Sequence, residues 1–334
     1  RVRGFVKVQV LTERRLQNLF MAGLAAALVV LPHLVTNPYY VNIINLVGLN
    51  VIIVVGLNLL IGYAGQISLG HAAFFALGAY ISGILTATCG FSPWPTMALA
   101  MAGTGLIAYL IGIPTLRLKG NYLVMATLGF NIIVSIIINQ WDDLTGGPSG
   151  FPGIPPLEIG SFSFNTDSRC YYLIWSAAFL AIWLSVNLVR SRVGRGLRAL
   201  HASEIAANTL GVDTDSYKIR VFVLSACLAS LAGSLYAHYL SFVSPKTFNI
   251  FFSVELVTMV MIGGMGSIWG SLFGAALLTP LPHALHFFEE YKDVSYGLIL
   301  VLILIFLPEG VVAGTINWYK RRRTRRLIRA MGGE

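Results

Sequence analysis

Charge is scarce in this 334-residue chain. Asp, Glu, Lys and Arg make up 11% of it against 56% hydrophobic residues, and only 14 residues are acidic. That balance excludes an ordinary water-soluble globular protein. No polar stretch exceeds roughly 30 residues, which leaves no room for a separate soluble domain. Cysteine is scarce too: Cys89, Cys170 and Cys227 stand far apart, which argues against a disulfide framework or a cysteine metal site. There is no Gly-Lys dipeptide, hence no Walker A phosphate loop, and no His-Glu-x-x-His metal helix. The chain is therefore not expected to hydrolyse ATP, and no catalytic residue, metal site or cofactor is assigned to it. Its net charge of +9 does not point to nucleic acid, because the basic residues gather at the chain ends and in two loops without interleaved aromatics.

What the chain does have is a succession of uncharged runs near the ~20 residues that cross a bilayer core. Hydrocarbon offers no partner for a free backbone group, so such runs must be helices. Candidate spans fall at about 18–36, 42–61, 70–88, 96–113, 121–139, 170–189, 218–240, 254–263, 270–287 and 294–313. The expected fold is all-α: a polytopic integral membrane protein of about ten transmembrane or re-entrant helices. Arg1, Arg3, Lys7, Arg14 and Arg15 precede the first run without the pattern of a signal peptide. Arg117 and Lys119 share one loop, Arg190, Arg192, Arg195 and Arg198 open another, and Lys320, Arg321, Arg322, Arg323, Arg325, Arg326 and Arg329 lie in the tail. Placing these on the cytoplasmic side puts both termini inside and accounts for an even number of spans.

The domain reading follows from that topology. A cytoplasmic segment 1–17 precedes a membrane domain 18–313, and a basic cytoplasmic tail covers 314–334. The tail would hold the last helix to anionic membrane lipid, each charge adding on the order of 1 kcal/mol. The opposite side receives 140–169, rich in Gly, Pro and Ser. It is either a docking surface for an external partner or a solvated lid.

Glycine is abundant, and its placement carries information. The stretch "GLNLLIGYAGQISLGHAAFFALGAY" (56–80) interrupts an apolar run with Asn58, Gln66, Ser68 and His71. Set beside "IGYAGQISLG" (61–70), "IGGMGSIWGS" (262–271) repeats Gly-x-x-Gly-x-Ile, matching Gly62, Gly65 and Ile67 with Gly263, Gly266 and Ile268. Broken helices at corresponding places in two halves are the sequence sign of a translocation pathway. Small residues every fourth position, at Gly266, Gly270 and Gly274 and at Ser225, Ala229, Gly233 and Ala237, let helix backbones approach closely. Asn50 and Asn58, eight residues apart, share one side of a helix. These amides, and Asn131, either join helices or line a polar path. His71 and Glu255 are the ionisable residues nearest the breaks. The pathway reading rests on Asn58, Gln66, Ser68 and His71.

Loop 190–217 is the most informative. Ser203 can cap a helix starting at Glu204, Gly211 can end it in a left-handed turn, and Asp215 can cap the next span. Glu204, Ala206, Ala207 and Gly211 form E-x-A-A-x-x-x-G, which resembles the coupling (EAA) loop of ABC-importer permeases. Ile205 departs from that pattern by separating Glu from Ala. The segments "SRVGRGLRAL", "YKIRVFVLSACLASLAGSLYAHYLSFVSP", "VMIGGMGSIWGSLFGA" and "TGGPSG", together with 56–80, resemble the LivM branch of branched-chain amino acid permeases. The resemblance runs from about 40 to 313.

The resemblance implies a heteromeric importer. Its partners would be a homologous LivH-type permease, two cytoplasmic ATPases that hold ATP and magnesium, and a periplasmic binding protein. It also implies ATPase coupling through Arg195, Arg198, Glu204, Ala206, Ala207 and Gly211. The bacterial inner membrane would be its location. The same branch resembles importers of urea, short amides and small organic acids, so the solute stays open. A stand-alone secondary transporter should show several coupling carboxylates inside the spans. A purely structural membrane subunit should tolerate apolar replacements of Gln66 and His71.

Overall fold

The computed structural model describes residues 37–284, apart from 119, 160 and 161, and a few isolated residues towards either terminus. The segment 1–17, the basic tail 314–334 and almost all of the spans expected at 18–36 and 294–313 lie outside the described residues. Helices dominate. They are α1 (Pro38–Asn58), α2 (His71–Ala87), α3 (Pro93–Thr115), α4 (Asn121–Gln140), α5 (Asp167–Arg190), α6 (Arg192–Ala202), α7 (Glu204–Thr209), α8 (Thr214–Leu240), α9 (Ile250–Gly263) and α10 (Ile268–Leu278). Among the described residues, five helices are long and apolar enough to cross a membrane. These are α3, α4, α5, α8, and α1 together with the π-helical turn that continues it.

The helix starts follow from local chemistry. Asn37 accepts the Tyr39 amide at 3.0 Å, and Pro38 fills the first position of α1, where a missing N–H costs nothing. Asn249 caps α9 through the Phe252 amide at 2.9 Å. The next span begins earlier than expected, at Thr214, and its cap is Asp213 rather than Asp215: Asp213 Oδ1 accepts the Ser216 amide at 3.2 Å. At the other extreme, α10 stops at Leu278 rather than running on to 287. Pro280 and Pro282 lie at the junction with a separate short helix, Leu281–Ala284, and neither has the backbone N–H that would continue the α10 ladder.

Helices α1 and α8 form the centre. Val51 through Val55 have no exposed surface. Asn45 donates to the Tyr239 hydroxyl at 3.1 Å, and Gly56 lies against Leu228, so the two helices are antiparallel. Helix α2 runs parallel to α8, with His71 on Ser225 near one end and Ser82 on His238 near the other. The stripe Ser225, Ala229, Gly233 and Ala237 belongs to α8, and α2 packs closely along that helix. A methyl on Gly233 would overlap the Phe75 carbonyl, and one on Gly78 the Ser230 backbone.

Two ends emerge. The basic end carries both helix breaks, Arg117, α6 and α7. The loop end carries 141–166 and 241–249. Phe151 pairs with Val243 and Pro152 with Phe242 in a two-residue antiparallel ladder. Ile154 and Leu157 are buried, and the Pro155 carbonyl accepts the His238 Nδ1 proton at 2.8 Å. The 140–169 loop therefore folds onto the bundle. From there the chain dips inward: Phe248 is buried against Phe75 and Tyr80 of α2. Helix α9 starts inside the bundle, so 14 residues, about 21 Å at 1.5 Å each, take it to the basic end.

Candidate functional site

Two features share the basic end, a short surface helix and a pair of touching helix breaks. Helix α7 has only six residues, too few to hold itself together in water. Its ends are fixed by bonding. Ser203 Oγ accepts the Ala206 amide at 3.3 Å. Gly211, with φ of +83°, lets its own amide reach Asn208 O at 3.0 Å and the Val212 amide reach Ala207 O at 3.0 Å. That is the doubled closure of a Schellman turn. Ala207 is buried and anchors the helix, whereas Ala206, Ile205 and Leu210 face outward. Arg195 and Arg198 lie exposed on α6. Glu204 reaches inward and pairs with Lys218 of α8 at 2.6 Å, and Lys218 is only 2% exposed.

The first break begins as a widening. Helix α1 passes into a π-helical turn over Leu59–Tyr63, and the Gln66 amide reaches back to Leu60 O at 3.0 Å. Gly65 then turns with φ of +68°, and Gly266 at the second break turns with φ of +75°. At this matched glycine the repeat seen in the sequence is also a repeat of backbone conformation. The breaks also touch: a methyl on Gly62 would overlap both Asn58 Oδ1 and the Gly266 amide. Helices α9 and α10 meet so closely that a methyl on Gly263 would overlap the Gly270 carbonyl, and one on Gly274 the Met259 carbonyl. Helix α10 is antiparallel to α1, as α2 is, so both broken hairpins run toward the basic end and back. The repeat is not inverted.

Asn58 ties the breaks together. Its Oδ1 accepts the Gly266 amide at 2.9 Å, and its Nδ2 donates to Ser267 O and Ser271 Oγ at 2.8 Å each. Two turns earlier Asn50 donates to Thr279 Oγ1 at 2.9 Å, so the shared face of these amides looks onto α10. Ser68 is buried and its Oγ accepts the Gly70 amide at 3.3 Å. His71 Nε2 meets Ser225 Oγ at 2.6 Å, while its Nδ1 is buried without a partner among the described residues. Asn131 donates to Ser253 Oγ at 3.2 Å, and that hydroxyl also accepts the Ala72 amide at 3.2 Å. Gln66 is half-buried and bonds only locally, to Ala64 O at 3.2 Å. It lines a cavity of about 170 Å³ together with Gly65, Ile67, Gly120, Asn121 and Glu204. Glu255 is half-buried on α9.

The pathway residues therefore divide. Gln66 opens toward α7, whereas Asn58, Ser68 and His71 are enclosed. Lys218, His201 (whose ring lies against Gly65) and the Ser267–Ser271 pair escaped the sequence reading. Only Lys218 left a signal there: a cation at the head of an apolar span, in the turn where the helix dipole disfavours it.

Residues 39–307 match the family described as "Branched-chain amino acid transport system / permease component". The chain belongs to this family. The match takes in both breaks and α7. The LivM high-affinity branched-chain amino acid permease proteins of Salmonella typhimurium and Escherichia coli are each 31% identical to it over 265 residues, 72% of this chain and 62% of theirs. The chain thus spans less than two thirds of the length of these relatives. BraD of Pseudomonas aeruginosa, also a permease protein of branched-chain amino acid transport, is 29% identical over 261 residues, covering 71% of this chain and 83% of its own. No solved structure matches significantly. A multi-pass, all-α membrane permease is the class that fold and family share.

Proposed function

We propose that this chain is a membrane-spanning subunit of an ATP-driven importer that carries branched-chain or related hydrophobic amino acids into the cytoplasm. One observation carries the reading beyond family membership. A six-residue helix, capped at both ends and paired to a buried lysine, is held rigid between two membrane spans and presents Ile205 and Leu210 to solvent. Such a helix suits docking to a partner. With no phosphate loop of its own, the chain takes its energy from two ATPase subunits that hold ATP and magnesium.

The excess of Arg at this end supports placing it on the cytoplasmic side of the inner membrane, with both termini on that side. The loop end then faces the periplasm and receives the solute from a binding protein. A LivH-type permease completes the pathway. Within the 18–313 membrane domain, Gln66 and the breaks mark where that pathway opens inward. Arg195 and Arg198 flank the docking helix, and Gly211 sets its exit.

The test is purification from the native membrane in mild detergent. Two ATPases, a second permease and substrate-stimulated ATP hydrolysis should accompany the chain. Disrupting Gly211 and Glu204 together should release the ATPases. A lone chain that transports in liposomes without ATP would overturn the reading in favour of a secondary transporter.

A further inference from the structure

We infer that Lys218 is a positioning residue for energy coupling: its ion pair with Glu204 makes α7 and α8 one rigid body, so that a push on the surface helix is delivered to the core span. The inference rests on the importer reading. Its physical basis is that Lys218 sits where a cation is disfavoured twice. It is 2% exposed, so its charge has lost most of its water, a heavy penalty for a buried ion. It also lies near the N-terminus of α8, the positive end of that helix dipole. If α7 were only a connector, a well-packed apolar residue would serve as well or better, since replacing buried pairs by hydrophobes is often neutral or stabilising. What an apolar residue cannot do is fix one geometry. The pair at 2.6 Å ties the first residue of α7 to α8 across 14 positions of chain.

The face that holds Lys218 continues into the bundle. Phe222 follows one turn later and Ser225 about two turns later, along one side of α8. Phe222 packs on Phe74 of α2 and against Gly112 of α3, and Ser225 bonds His71. His71 is the first residue of α2, directly after the first break. Surface helix, buried ion pair, core span and break exit thus form one line of direct contacts. A hinge at position 218 would interrupt it.

The test uses the full chain in its complex. Spin labels go at Asn208, which is exposed on α7 and is not one of the docking residues, and at Leu240, the last residue of α8. The labels should lie about 40 Å apart, with Cys89, Cys170 and Cys227 replaced by Ala. The unsubstituted chain and K218R should give one narrow distance distribution, and K218M a broad one. In K218M the ATPases should still co-purify, while transport per ATP hydrolysed falls on the order of tenfold, with K218R restoring most of it. Should K218M fail to accumulate, E204Q opens the same pair from its half-exposed side and is measured instead. A narrow distribution in a folded chain with the pair broken, or unchanged transport per ATP, would overturn the inference. Absence of ATPases from the unsubstituted chain would instead overturn the importer reading, and the distance distribution would still decide whether the joint is rigid.

Discussion

At the first break Gly65 turns the chain with φ of +68°, and at the second its counterpart Gly266 turns it with φ of +75°. The neighbours differ. The second break is closed on itself and on α1: Ser267 caps α10 through the Gly270 amide at 3.1 Å, and Asn58 takes up the Gly266 amide and the Ser267 carbonyl. The first break is open. Among the described residues the Gln66 side chain bonds only to Ala64, Ile67 is 48% exposed, and the turn rests on His201 of α6. One backbone device is therefore a latch in one half and a contact with the surface helices in the other. If the breaks work as a pair, the latch should carry stability and the open break should carry communication.

The largest effect should come from opening the latch. N58L leaves the Gly266 amide and the Ser271 hydroxyl without their partner inside the bundle, and takes from the Ser267 carbonyl one of two donors, the Ser271 amide remaining. At 1–3 kcal/mol for a buried group left unmade, the loss should be about 3 kcal/mol or more. Thermal unfolding of the purified chain in detergent reads it directly. G62A should act in the same direction, because the added methyl has no space beside Asn58 and Gly266. G129A, where nothing lies within reach of the new methyl, is the control and should cost little. Equal midpoints for N58L and the parent would remove the distinction between the two breaks.

How much of this was legible beforehand differs by range. The long helices were read from runs of apolar residues, a local property, and the caps at Ser203 and Gly211 from residue types that act within three or four positions. The breaks were legible because glycine beside polar residues in an apolar run has few other uses. The partners were not. Asn58 finds Ser271 at a separation of 213 residues, and Asn45 finds Tyr239 at 194; spacing along the chain says nothing about such pairings. Asp213 and Asp215 can both cap by residue type, and only the backbone decides which of them is outside the helix. The run 254–263 is visibly too short to span, but where α9 enters the bundle depends on Phe248 meeting Phe75 and Tyr80, which no local pattern shows.

A smaller effect should show that the open break touches the surface helices. G65A and G266A both force a side chain into a left-handed turn, at roughly 1–2 kcal/mol each. Only at Gly65 does the new methyl also meet His201, at 3.0 Å from Nδ1. A double-mutant cycle with H201A should therefore show a coupling of about 0.5 kcal/mol or more for G65A and none for G266A. Equal couplings would mean that α6 does not sense the first break.

The smallest effect on stability, and the most telling for function, belongs to Gln66. Its side chain bonds only to a carbonyl two residues away and faces a cavity, so Q66L should shift the unfolding free energy by less than about 0.5 kcal/mol. An apolar side chain there would nonetheless remove an amide that, with Asn121, faces the space between the first break and Glu204. If that space belongs to the inward-opening pathway, transport falls while stability, assembly and ATP hydrolysis stay at parent levels. If the chain is a structural subunit without a pathway, Q66L transports as the parent does. The two outcomes separate because Gln66, unlike Asn58, has so little structural duty that a change in transport cannot be put down to a change in folding.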